Sequence, residues 1–199
     1  MSSFQNIDRP QLSQGASAIQ PLANPLRPER GAQSQLPTPV ESLTVQEFRR
    51  DVLDPNNPRT KPEMQGYTFV MLTADKQYCP PCPTVKEVYD DAARAAQRNG
   101  SAARFVSLDL TDAYRSQNAE QVQFGLDLAQ AVRRQGGRDI SAGLPAIVRV
   151  ETTGTGEQKL TVVAHGEIQS DQMRKPDVVE AGRQRIRQSL ERSIGDTTR

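Results

Sequence analysis

The only two cysteines of the chain are Cys79 and Cys82, with Pro80 and Pro81 between them and Tyr78 and Pro83 on either side. Two thiols at this spacing suit dithiol–disulfide exchange, in which one attacks a substrate disulfide and the other resolves the mixed disulfide that forms. Zinc binding is the other use of such a pair. It needs two further ligands, and His165 is the only histidine, so no metal is expected. Two cysteines cannot build a disulfide framework, and in a reducing compartment the pair reads as catalytic or metal-binding. His165 itself reads as an ordinary strand residue rather than a proton-transfer group.

The cysteines follow Tyr67-Thr68-Phe69-Val70-Met71-Leu72, a nearly continuous apolar run that suits a strand covered on both faces. A helix is predicted from about 83 to 98, with Val85, Val88, Tyr89, Ala92 and Ala96 facing inward and Asn99-Gly100 stopping it. Residues 103–110 alternate like a strand. A second amphipathic helix spans about 116–135, carrying Val122, Leu126, Ala129 and Val132 as its apolar set, and Gly136-Gly137 closes it. Leu144-Pro145-Ala146 opens a strand that runs to Glu151. The turn Thr153-Gly154-Thr155-Gly156 leads to its hairpin partner over 159–164. The last helix covers about 176–193, with Val179, Ile186, Leu190 and Ile194 as a stripe. Its arginines Arg183, Arg185, Arg187 and Arg192 read as a solvated face. Upstream, Thr44-Val45-Gln46-Glu47 is a capping box, and Val45, Phe48 and Val52 share one helical face.

Residues 1–40 differ in kind. Pro10, Pro21, Pro25, Pro28, Pro37 and Pro39 punctuate a stretch rich in Gln, Ser and Asn whose apolar residues have no helical or strand period. Such a segment cannot offset its chain entropy by burial, so it reads as an extended or disordered arm, with the folded domain over 41–195. A passive tail and an arm that orders on a partner both fit. Hydrophobic residues make up 35% of the chain, which is low enough to agree with an unpacked portion. Net charge is +1 with both signs interspersed, which gives no electrostatic case for nucleic acid. No apolar run approaches membrane-spanning length, and the N-terminus lacks the basic start and apolar core of a signal peptide. A cytoplasmic setting is the expectation, with a virion or other assembly as the alternative.

The order strand, Cys-x-x-Cys, helix, strand, helix, hairpin, helix resembles thioredoxin over about 42–193. Leu43-Thr44, Phe48 and Val52-Leu53 resemble its opening helix, and Phe69–Leu72 with Tyr78-Cys79 its central strand and active-site loop. Leu144-Pro145-Ala146 resembles its cis-proline segment, and Gly166 a glycine near its active site. Cys-Pro-Pro-Cys itself occurs in tryparedoxin-like and nucleoredoxin-like members. The resemblance implies an α/β thioredoxin-like fold with a central mixed sheet flanked by helices. It implies that Cys79 attacks, Cys82 resolves and Pro145 sits against the pair. Tyr78, Pro80, Pro81, Leu144 and Gly166 would then line the substrate. It further implies a protein disulfide as client, a reductase as electron donor, and no cofactor beyond the cysteines.

The chain departs from the family pattern at four points. Tyr78 replaces a tryptophan, and Pro83 replaces a basic residue. The buried acidic residue aligns with Thr73, unless Asp75 takes its place. Three prolines remove amides near Cys79, which leaves Cys82 N–H as the main donor and implies a less depressed thiol pKa. The other function class that the residues allow is a thioredoxin-fold interaction subunit without redox activity, held in a larger assembly through residues 1–40.

Overall fold

A computed structural model describes residues 39–54, 57, 67–141, 143–153 and 155–195. The arm expected over 1–40 therefore lies outside the described residues, apart from Pro39 and Val40.

Five strands form one mixed sheet: β1 (Val40–Leu43), β2 (Thr68–Thr73), β3 (Arg104–Asp109), β4 (Ala146–Thr152) and β5 (Gln158–His165). Their order across the sheet is β1-β3-β2-β4-β5. The first three strands in that order are parallel, and β4 and β5 each run antiparallel to the preceding neighbour. The helices are α1 (Val45–Phe48), α2 (Cys82–Arg98), α3 (Thr111–Arg115), α4 (Ala119–Arg134) and α5 (Pro176–Gly195). This is the expected α/β class, a mixed sheet flanked by helices, and it is consistent with a thioredoxin-like fold.

β2 lies at the centre of the sheet, and Phe69, Val70, Met71 and Leu72 are all buried, as its apolar run requires. Alternation sends Phe69 and Met71 to one face, where they meet Val85, Val88 and Tyr89 of α2 and Ile186 and Leu190 of α5. Val70 and Leu72 point to the other face, against Val45 and Phe48 of α1 and Phe124, Leu128 and Val132 of α4. Each such side chain contributes about 1.5–3 kcal/mol by leaving water. The Thr44 capping box is present: Glu47 N–H donates to Thr44 Oγ1 at 3.2 Å and Thr44 N–H to Glu47 Oε2 at 2.8 Å. Beyond α1 the chain continues as a π-helical turn over Arg49–Leu53.

Two expectations need correction. Leu43 is not part of an opening helix. It ends β1, which pairs in parallel with β3 from Val40 opposite Phe105 to Leu43 opposite Leu108. The helix expected over 116–135 is α4, preceded by the short α3, but its buried face is Phe124, Leu128, Ala129 and Val132 rather than the expected set. Val122 is 39% exposed and Leu126 is 52% exposed. Phe124 decides the rotation, because its ring packs edge-on against Phe48 at 5.5 Å in the core between α4 and α1.

Gly182 is buried where α5 crosses the segment after β5. A Cβ there would lie 2.8 Å from Glu167 O and would press on the Ile168 side chain. Gly182→Ala should therefore destabilise the protein by about 1–2 kcal/mol, since overpacking outweighs the gain in helix propensity. A urea titration should show a lower midpoint at unchanged slope. A midpoint equal to or above wild type would mean that the crossing is looser than described.

Candidate active site

Strand register brings the site together. Leu72, near the end of β2, lies opposite Ala146 at the start of β4, and Ala146 in turn lies opposite His165 at the end of β5. Thr73 pairs with Asp109, which ends β3. The loop carrying the cysteines, the 143–145 segment, Gly166 and α3 therefore all emerge at one edge of the sheet.

The cysteine loop is held by its backbone. Tyr78 N–H and Cys79 N–H both donate to Asp75 O at 2.9 Å, and Asp75 N–H donates to Thr111 Oγ1 at 2.8 Å. Cys79 ends the loop and Cys82 is the first residue of α2. The two are joined as a disulfide with Cα atoms 5.3 Å apart, within the range a disulfide spans. Cys79 is 2% exposed and Cys82 is 1% exposed. Both pack against Ala74, with the half-buried Leu144 packed against the cluster.

Cys82 N–H donates to Cys79 O at 3.0 Å, so it is engaged rather than open to a sulfur. Pro83 has no N–H. Among the described residues, Thr84 N–H has no backbone partner, which makes it the unsatisfied donor at the start of α2. The seventeen-residue α2 directs the positive end of its dipole toward the pair.

Asp75 is not a buried proton acceptor. Its side chain is half exposed, and its Oδ2 lies 2.9 Å from Arg115 Nη2. Thr73 is half-buried on β2. The pair thus has no buried carboxylate at either position the family alignment allowed.

Of the remaining expected residues, Pro81 is buried as the N-cap of α2, and Pro80 is half-buried. Tyr78 is exposed and stacks on Tyr114 of α3 at 6.0 Å between ring centres. Partial burial pushes the Tyr114 hydroxyl above its ordinary value. Leu144 contacts the cysteine cluster, and the Leu144–Pro145 peptide bond is cis. Pro145 is buried and lines a small cavity with Val85, His165 and Gly166. Gly166 is exposed with a φ of +73°, a conformation that favours glycine. His165 Nε2 lies 3.1 Å from Gly143 O. A carbonyl oxygen only accepts, so that nitrogen carries the proton, and the bond ties β5 to the segment ahead of Pro145.

No family model matches the chain. No curated protein matches it either.

Sequence reasoning did not single out Tyr114 or the contact of Leu144 with the cysteines. Tyr114 sits on α3, which follows β3 through a turn closed by Asp109: its Oδ1 accepts Thr111 N–H at 2.8 Å. Leu144 reaches the cysteines because β2 and β4 are neighbours, which local pattern does not reveal. As the half-buried side chain packed against two nearly inaccessible cysteines, Leu144 should limit access to them. Leu144→Ala should raise the rate at which a small thiol reduces the disulfide about threefold to tenfold, because the cover is removed while the pair stays in place. The rate can be read by alkylation and mass spectrometry against time. An unchanged or slower rate would show that Leu144 does not shield the sulfurs.

Proposed function

We propose that the chain is a thioredoxin-like dithiol–disulfide oxidoreductase that exchanges electrons with protein disulfides through Cys79 and Cys82. The observation that carries this reading is the juxtaposition at one sheet edge. A bonded cysteine pair stands at the start of a long helix, with Leu144 against it and Pro145 and Gly166 beside each other next to it.

In the reduced protein, the Cys79 thiolate attacks one sulfur of a client disulfide. A Cys79–client S–S bond forms, the client S–S bond breaks, and the departing client thiolate takes a proton. The Cys82 thiolate then attacks Cys79 sulfur. The Cys79–Cys82 bond forms, the mixed disulfide breaks, and the second client sulfur leaves as a thiol. The client gains two electrons and two protons, and the dithiol loses them. A donor dithiol protein, the reductase of the cycle, restores the starting state by the reverse exchange. The positive end of the α2 dipole, which lies toward the pair, favours the thiolate form of Cys79. Pro145 removes an N–H from the position beside the pair.

One observation favours a second reading, in which the protein is an interaction subunit and its disulfide a staple. Both cysteines are almost wholly buried. An insulin-reduction assay with dithiothreitol as donor separates the two readings. Wild type should accelerate insulin precipitation, and Cys79→Ser should fall to the dithiothreitol background. Wild type at background would leave only the interaction subunit.

A further inference from the structure

β5 carries one residue more than its ladder with β4 needs. Val148 lies opposite Val162 and Ile147 opposite Ala164, so Val163 is a bulge between them. The extra residue reverses the alternation. Val162 packs with Val148 on the face that α1 and α4 cover, whereas Ala164 packs with Ile147 on the face of α2 and α5. His165 follows opposite Ala146, a member of the α4-side cluster. A regular strand would send His165 to the α2 side, because a shift of one residue exchanges the two faces. The bulge thus turns this imidazole toward the 143–145 segment.

There the Nε2–H donates to Gly143 O at 3.1 Å, and the residue is only 9% exposed. His165 is the only histidine of the chain, and among the described residues this is its one side-chain hydrogen bond. A buried imidazole that only filled space would lose hydration without return, so an apolar residue would serve better in that role. What the bond fixes is the backbone ahead of Leu144. Gly143 has a φ of +127°, a conformation that favours glycine, and it has no side chain of its own to restrain it. Its N–H reaches Ile140 O only at 3.5 Å, so His165 supplies the firmer of its two bonds. The next side chain, Leu144, packs against Cys79 and Cys82. One carbonyl therefore links the end of β5 to the residue that touches the disulfide.

We propose that His165 is a positioning residue for thiol–disulfide exchange: through Gly143 it holds Leu144 against the cysteine pair, and so sets how fast an external thiol reaches the disulfide. The proposal rests on the oxidoreductase reading above. It gives His165 a role beyond that of the ordinary strand residue expected from sequence.

The test follows reduction of the oxidised full chain by dithiothreitol. Two electrons and two protons pass from dithiothreitol, which closes to its cyclic disulfide, to the Cys79–Cys82 bond, which opens to two thiols. Alkylation and mass spectrometry give the rate, and circular dichroism checks that each variant is folded. His165→Phe keeps a ring without the donor and should react about threefold to tenfold faster than wild type, the range expected for Leu144→Ala. His165→Gln, whose amide places an N–H near that of Nε2, should stay within about twofold of wild type. Adding His165→Phe to Leu144→Ala should give no further increase, because both act on one contact. A rate in His165→Phe at or below that of wild type, no rescue by glutamine, or effects that multiply in the double variant overturns the proposal. One readout needs no substitution. A long-range proton–nitrogen correlation spectrum of wild type contains a single imidazole, and the neutral ring should carry its proton on Nε2. A proton on Nδ1 instead overturns the proposal whether or not the variants fold. A wild-type disulfide that dithiothreitol cannot open while the chain is folded is a different result: it removes the oxidoreductase reading, and this role with it.

Discussion

Cys82→Ser should stall the protein as a mixed disulfide with its client, whereas Cys79→Ser should form no such adduct. The asymmetry follows from position. Cys79 lies outside α2, at the end of the loop, and faces the positive end of the helix. Cys82 is within the helix, as its first residue, and both cysteines are almost wholly buried. A client sulfur therefore meets Cys79 first. Resolution by Cys82 is intramolecular, with Cα atoms 5.3 Å apart, so its effective concentration exceeds that of any thiol in solution. Removing it should slow release of the client roughly a hundredfold or more. The measurement is non-reducing electrophoresis of each variant after exposure to an oxidised protein client, with mass spectrometry locating the linkage. Adducts on Cys82 in Cys79→Ser, at a rate equal to those on Cys79 in Cys82→Ser, would reverse the assigned roles.

The second large effect concerns Tyr89, which holds the helix bearing Cys82 onto the sheet. Its side chain is fully buried, and its hydroxyl lies 2.7 Å from Phe69 O and 2.9 Å from Val106 O. Those carbonyls belong to β2 and β3, so one hydroxyl bridges two strands beneath α2. Its ring also packs edge-on to Phe105 at 5.4 Å. Tyr89→Phe keeps the ring and should cost about 1–2 kcal/mol for the lost hydrogen bond. Tyr89→Ala adds a cavity and should cost about 3–5 kcal/mol. For a chain of this length each kcal/mol lowers Tm by about 2–4 °C.

Burial pushes the Tyr89 hydroxyl well above its ordinary value of 10.0. The folded state therefore keeps this proton to higher pH than the unfolded chain does. Its contribution to stability is complete below about pH 10 and is lost as pH rises beyond that. Wild type should thus lose stability above pH 10 more steeply than Tyr89→Phe, measured by denaturant titration at each pH. Parallel profiles would show that Tyr89 does not titrate with unfolding.

Much of this fold was legible from residue pattern, for reasons that can be named. β2 is buried on both faces, and its uninterrupted apolar run says so without knowledge of its neighbours. Likewise α2 has Val85, Val88, Tyr89, Ala92 and Ala96 on one stripe, and all five are buried. β1 was not legible. It has four residues, of which Glu41 and Ser42 are exposed, and it exists because β3 offers a parallel edge rather than through its own composition. The rotation of α4 was misread because two sets of residues satisfy helical spacing equally well. Val122 and Leu126 combine with Ala129 and Val132 in one set, and Phe124 and Leu128 combine with the same two residues in the other. The choice between them depends on Phe48, which is remote in sequence. The same ambiguity hid the exposure of Val122 and Leu126, which were assigned to the core. At the site, the cysteines and Pro145 announce themselves by residue type. Their cover by Leu144 and the stacking of Tyr78 on Tyr114 arise from strand neighbours and have no local signal. The position of the family's acidic residue could not be read from alignment alone. Only the Arg115 pairing of Asp75 and its exposure exclude it from the buried role.

The central claim is that Cys79 and Cys82 exchange with external thiols while the protein stays folded. The direct measurement is a redox titration of the full chain in dithiothreitol buffers of graded potential. Alkylation and mass spectrometry give the dithiol fraction, and circular dichroism follows the fold. The account predicts one reversible two-electron transition, in which the dithiol-to-disulfide ratio changes tenfold per about 30 mV and the dichroism stays native throughout. A disulfide that resists reduction until denaturant unfolds the chain would contradict it.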